Sequence, residues 1–266
     1  MPQKYLTIGD VATLVHHRGP TTLPGSPPDR ARGATIVCVH DAGGNGNTFA
    51  ELMDHLADGD SPLSFDLPGH GRSAGLDSLG SIAAMAAHLL ALADAWAIDH
   101  PVLVGEGMGA AVAIEAASSR PGWAAGVVAV GDVGVEAGLD DEIGRLEAIT
   151  SGKARREFDG TGYAPDTDRA IYQRAFGDWV MTDPRATLGD RRAQAEWSCP
   201  TSLATPLLVV VGEHADHDEG AGAGALADRL GGRVEILPGA GRHGVIEQPA
   251  ALAALIAAFS TAGIVS

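Results

Sequence analysis

The chain has 266 residues, 45% of them hydrophobic, with 36 glycines and 15 prolines dispersed along it; this excludes a collagen-like or disordered chain and fits one α/β domain carrying an insertion. Eighteen basic against 34 acidic side chains leave a formal net charge of -16, which repels nucleic acid and anionic lipid, so neither is expected as a partner. The first residues, MPQKYLTIGD, lack the apolar core of a signal peptide and no stretch approaches about 18 uninterrupted apolar residues, so a cytoplasmic protein is expected.

Taken in chain order, segments 4–8 and 12–16 flank Gly9 and Asp10 and predict a hairpin, so that the sheet starts antiparallel. Residues 21–32, with Pro24, Gly25, Pro27 and Pro28, read as a loop. Short β-branched apolar runs predict buried parallel strands at 35–40, 101–104, 126–130, 206–211 and 233–237. Between them, Ala- and Leu-rich segments at 48–56, 79–97, 110–119, 223–230 and 250–259 predict helices. That alternation implies a sheet covered by helices on both faces. The two cysteines, Cys38 in a strand and Cys199 before a proline, form no CxxC pair and read as free thiols.

From about 133 to 202 the strand rhythm stops, and amphipathic stretches at 139–149, 166–179 and 185–197 predict three helices. The expected organisation is therefore a core in two parts, 1–132 and 203–266, interrupted by a helical lid over 133–202. Open α/β sheets bind ligands at the carboxyl ends of their strands, and a lid there would cover such a site; covering an apolar sheet edge is the alternative.

Four ordered segments carry chemistry at those strand ends: Val39-His40-Asp41-Ala42-Gly43-Gly44, Asp66-Leu67-Pro68-Gly69-His70-Gly71-Arg72-Ser73, Val104-Gly105-Glu106-Gly107-Met108-Gly109-Ala110, and Pro238-Gly239-Ala240-Gly241-Arg242-His243 followed by Glu247-Gln248-Pro249. Together they resemble the α/β-hydrolase superfamily and span most of the chain. The resemblance implies a mostly parallel eight-stranded sheet with helices on both faces and a small helical lid. It identifies Gly107 as the nucleophile position of a G-x-S-x-G elbow. Glycine offers no hydroxyl, thiol or carboxylate, so a covalent acyl-enzyme cannot form there.

The same resemblance implies an oxyanion hole made by the backbone N–H groups of Ala42 and Met108, His243 as general base, and Asp216 as the acid that orients it, with Asp132 in reserve. Asp41 stands where the superfamily's loop has glycine and reads as a turn residue, with an acid or base role as the alternative. Glu106 could substitute as a carboxylate, although the residue before an elbow nucleophile ordinarily points away. His40 is expected to hold the oxyanion loop, and His70 and Ser73 to shape a turn. His214, Asp216, His217 and Asp218 cluster in sequence but match no zinc spacing, and Gly105 to Gly109 lacks the dinucleotide fingerprint, so no metal or cofactor is expected.

Three functions follow as expectations. The first is a hydrolase of small ester, lactone or related carbonyl substrates with its serine replaced. The second is a diverged lyase, isomerase or cyclase that uses His243 as acid or base without a covalent intermediate. The third is a ligand-binding pseudohydrolase. In each, the partner is a small molecule.

Overall fold

The computed structural model describes residues 2–20, 22–75, 77–131, 133 and 139–263. β1 (Gln3–Ile8) and β2 (Val11–His17) form the expected hairpin, with Ile8 opposite Val11 across a two-residue turn. β2 pairs antiparallel with β4 (Ser61–Phe65), and beyond it the sheet is parallel through β3 (Thr35–Val39), β5 (Val102–Glu106), β6 (Gly126–Val130), β7 (Leu207–Gly212) and β8 (Arg233–Leu237). The eight-stranded order is β1-β2-β4-β3-β5-β6-β7-β8.

Alternation along the central strands feeds two cores. Val37, Val39, Leu103, Val127 and Val209 pack beneath α2 (Ile82–Ala95), α3 (Met108–Ser119) and α7 (His217–Leu230). Their neighbours Ile36, Cys38, Val102, Val104, Val128 and Val210 face α1 (Ala50–Leu56) and α9 (Pro249–Gly263). Both faces of these strands are thus apolar, which is why they read as continuous hydrophobic runs. Truncating a fully buried member such as Leu89 to alanine costs about 2–5 kcal/mol, because the cavity collapses only partly. No described helix is long and apolar enough to cross a membrane.

The chain between β6 and β7 carries α4 (Leu139–Thr150), α5 (Arg169–Met181) and α6 (Pro184–Ala195). Asp183 starts α6 by accepting a hydrogen bond from the Arg185 N–H, and Pro184 suits the first turn, where its missing N–H costs nothing. α6 buries polar side chains, Asp190, Arg191 and Gln194, with Asp190 and Arg191 meeting the loops that follow β3 and β4. That choice of residues fixes the site described next.

Candidate active site

Parallel strands deliver their last residues to one edge of the sheet, and the loops after β3, β5, β6 and β8 meet there. Asp41, Glu106, Gly107, Gly131, Arg242 and His243 line a small polar cleft at this edge. Between β5 and α3 the chain turns sharply. A Cβ on Gly105 would lie 2.3 Å from the Gly109 backbone, so the turn closes only with small residues at both positions. Gly107 caps α3 with φ 52° and ψ -119°, a conformation that strains any other residue.

A side chain at Gly107 would also have no room. Its Cβ would stand 2.3 Å from Asp41 Oδ1 and 2.9 Å from Asp41 Oδ2. Asp41 therefore does more than shape a turn. Its Oδ1 accepts hydrogen bonds from the Ala42 N–H at 2.7 Å and the Met108 N–H at 2.8 Å. These are the two donors expected to receive an oxyanion, and they do converge on one point; a carboxylate of the chain itself occupies it. The Asp41 side chain keeps 27% of its surface exposed, so it remains open to the cleft.

Helix α6 holds this arrangement from above. Buried Arg191 approaches Asp41 Oδ1 with Nη1 at 3.5 Å, pairs through Nε with Glu142 of α4 at 3.1 Å, and donates to Gln194. One residue earlier, Asp190 accepts from the Gly43 N–H at 3.0 Å and meets His70 Nε2 at 2.7 Å, both side chains fully buried. Burial disfavours charge on each, but their mutual attraction and hydrogen bond win, so His70 is raised and Asp190 lowered from their ordinary values. His40 holds the loop from below: its Nδ1 donates to the Asp41 carbonyl at 2.8 Å, and Nε2 accepts from the Leu67 N–H. Burial pushes His40 down to about 4, which keeps it neutral and able to accept.

His243 follows β8 and precedes the short α8 (Gly244–Glu247). Glu247 positions it. One carboxylate oxygen accepts from the His243 and Gly241 N–H groups, and the other from the Ala164 N–H and Thr167 hydroxyl, so a single buried side chain ties the histidine loop to residues 164–167. Tyr163 lies 4.4 Å from the His243 ring, and the Thr161 backbone favours the protonated imidazole. Burial pushes His243 below its ordinary value, with Asp41 opposing, so the ring is neutral at pH 7.

Asp216 is not brought to His243. Its exposed carboxylate caps α7 by accepting from the Glu219 N–H at 2.9 Å. Asp132 lies outside the described residues. Glu106, by contrast, does line the cleft. It is buried, and burial first, then the nearby Asp41, pushes its carboxyl up to about 8.

Three contributors carried no sequence signal strong enough to single them out. Asp190 and Arg191 sit in the amphipathic 185–197 stretch, and only their contacts with Asp41, Gly43 and His70 show that these charged side chains turn inward. Glu247 belongs to a recognised motif, but its hydrogen bonds to two separate segments are tertiary.

Comparison with known proteins agrees with this architecture. A solved structure described as a thermophilic esterase from Thermogutta terrifontis superposes with a TM-score of 0.81 at 18% identity, covering 99% of each chain. The enol-lactonase from Burkholderia xenovorans gives 0.79 at 17% identity, covering 97% of this chain and 99% of that one. In sequence, the chain is 31% identical over 124 residues to the dihydrolipoyllysine-residue acetyltransferase component of the acetoin cleaving system of Cupriavidus necator; the match takes in 47% of this chain and 33% of that protein, so it spans about a third of its relative's length. The model of the alpha/beta hydrolase family matches residues 36–255, and with its eight-stranded sheet the chain belongs to that family.

Proposed function

We propose that this protein is a diverged α/β-hydrolase-fold enzyme that acts on a small, uncharged carbonyl compound by proton transfer, without an acyl-enzyme, with His243 as the acid–base group. The observation that carries this reading is the Asp41 carboxylate, which occupies both the space of a side chain at Gly107 and the two N–H groups of the expected oxyanion hole. A serine hydrolase needs that space for its nucleophile and those donors for its tetrahedral oxyanion. The filled position favours a site in which Gly107 and Asp41 are adapted to each other.

Chemistry rather than a bare scaffold is supported by His243, which lines the cleft in a neutral state with one nitrogen available. The likeness to esterase and lactonase folds supports a carbonyl compound as the ligand class. The test is deuterium uptake from heavy water into acetone and cyclohexanone, followed by proton NMR. The wild-type protein is expected to accelerate exchange at the carbon beside the carbonyl, and His243→Ala to abolish the acceleration. Exchange no faster than in buffer alone would remove the support for proton-transfer chemistry.

A further inference from the structure

An enzyme that forms an enolate needs a donor for the carbonyl oxygen, and here the two backbone donors are already engaged by Asp41. Another donor must serve. Glu106, the last residue of β5, is 7% exposed and lines the same cleft as His243. The Val245 backbone in α8 favours the charged form of this carboxyl and opposes the effect of burial. Its Oε1 is buried and, among the described residues, has no hydrogen-bond partner. Buried polar atoms are almost always paired, so an unpaired carboxyl oxygen on a residue that lines a cleft points to a ligand that completes the group.

We propose that Glu106 is the proton donor of this site, giving its carboxyl proton to the carbonyl oxygen of the ligand while His243 takes a proton from the adjacent carbon. This rests on the acid–base reading above and adds the group that polarises the substrate. In the forward step the C–H bond breaks and its proton goes to the free nitrogen of His243. The electron pair becomes the C=C bond of the enol, and the carbonyl π pair becomes the new O–H bond with the proton from Glu106. The result is an enol, an imidazolium and a carboxylate. Return of the imidazolium proton to the same carbon, or to one conjugated with it, and of the enol O–H proton to the Glu106 carboxylate closes the cycle without any co-reactant.

The surroundings favour the protonation states this needs. Groups facing Glu106 are Asp41 from the loop after β3 and Glu247 of α8, which disfavour its charge, Arg242, which favours it, and the phenol of Tyr163 from the chain before α5, whose own ionisation Glu106 disfavours. Burial adds the largest push, to about 8, so the carboxyl carries its proton at pH 7 while His243 does not. Two titratable groups in one cleft, driven apart in this way, make an acid and a base available at the same pH.

The deciding experiment combines infrared spectroscopy with the exchange assay. A protonated carboxyl C=O stretch is expected in wild-type protein at pH 7, absent from Glu106→Gln and fading as pH rises through about 8. Wild-type protein labelled with 13C-glutamate gives the same readout by isotope shift, without depending on the variant's folding. In acetone exchange, Glu106→Gln should keep KM close to wild type and lower kcat by about 10²-fold, the usual contribution of a positioned proton donor. A strut between β5 and α8 would change neither value, since glutamine keeps the shape. An ionised Glu106 at pH 7, or wild-type exchange in Glu106→Gln when His243→Ala has lost it, overturns the assignment of Glu106 alone. Wild-type rates in both variants, or no acceleration by the wild-type protein, overturn the acid–base reading with it.

Discussion

Asp41 and Gly107 are steric complements: a Cβ at residue 107 would lie 2.3 Å from Asp41 Oδ1, and the carboxylate in that space is held by the N–H groups of Ala42 and Met108. The pair behaves as one unit, so changes at either residue should be read against the other.

Gly107→Ser is expected to destabilise the protein by about 1–3 kcal/mol, through the positive φ and the displaced carboxylate, and to confer no ester hydrolysis. Adding Asp41→Gly clears the space and frees the two donors, so the double variant should turn over a short-chain aryl ester faster than Gly107→Ser. Urea denaturation and ester hydrolysis, with His243→Ala added as control, measure both effects. Full activity in Gly107→Ser alone would mean that Asp41 yields readily and that a lost nucleophile is the better account.

Asp41→Ala should expose an anion site. With the Ala42 and Met108 N–H groups unpaired beside Arg191, acetate is expected to bind the variant and leave the wild type unaffected. Ligand that binds only the folded state raises its stability, and for a chain of this size each kcal/mol raises Tm by about 2–4 °C. Thermal melts of both proteins across an acetate series would show the effect, and equal shifts would contradict it.

The buried His70–Asp190 pair anchors α6. Asp190→Asn should cost about 3–5 kcal/mol, because it strands a buried imidazole and weakens the acceptor for the Gly43 N–H. The pH dependence has a definite sign. Asp190 is lowered in the folded state, so its contribution is present above the ordinary carboxylate range and fades as pH falls through its folded value. His70 is raised, so its contribution is full below its ordinary value of 6.5 and is lost as pH rises through the higher folded value. Wild-type stability should therefore decline above pH 6.5 with a component that is missing from Asp190→Asn.

Glu247→Ala removes one carboxylate that accepts four hydrogen bonds from two separated segments. A loss of at least about 2 kcal/mol is expected, since bonds to a charged acceptor are the stronger kind. Amide exchange should rise at Gly241, His243 and Ala164 together, whereas a purely local role would leave Ala164 protected.

Most of the sheet was legible because its determinants are local and periodic; β4 (Ser61–Phe65), without a β-branched run, was not, and 233–237, expected to be buried, is the edge strand β8 with Val234 and Ile236 exposed. Apolar β-branched runs bounded by glycine and proline mark β3, β5, β6, β7 and β8, and the hairpin announces itself at Gly9 and Asp10. The Gly105/Gly109 spacing marks the sharp turn for steric reasons that need no knowledge of the rest of the chain. The sequence by itself therefore determined the strand-end loops and the absence of a nucleophilic side chain at residue 107. Only the tertiary structure decided what fills that absence. Asp41 and Gly107 lie 66 positions apart in the chain, and Asp41 and Arg191 150 apart. No periodicity encodes such pairings, because a hydrogen bond or an ion pair depends on where folding brings two groups and not on their spacing in sequence. The same reason separates Asp216, which sequence order sets beside the histidine and folding assigns to a helix cap, from Glu106, which local geometry alone would point away and which packing against α8 holds at the cleft.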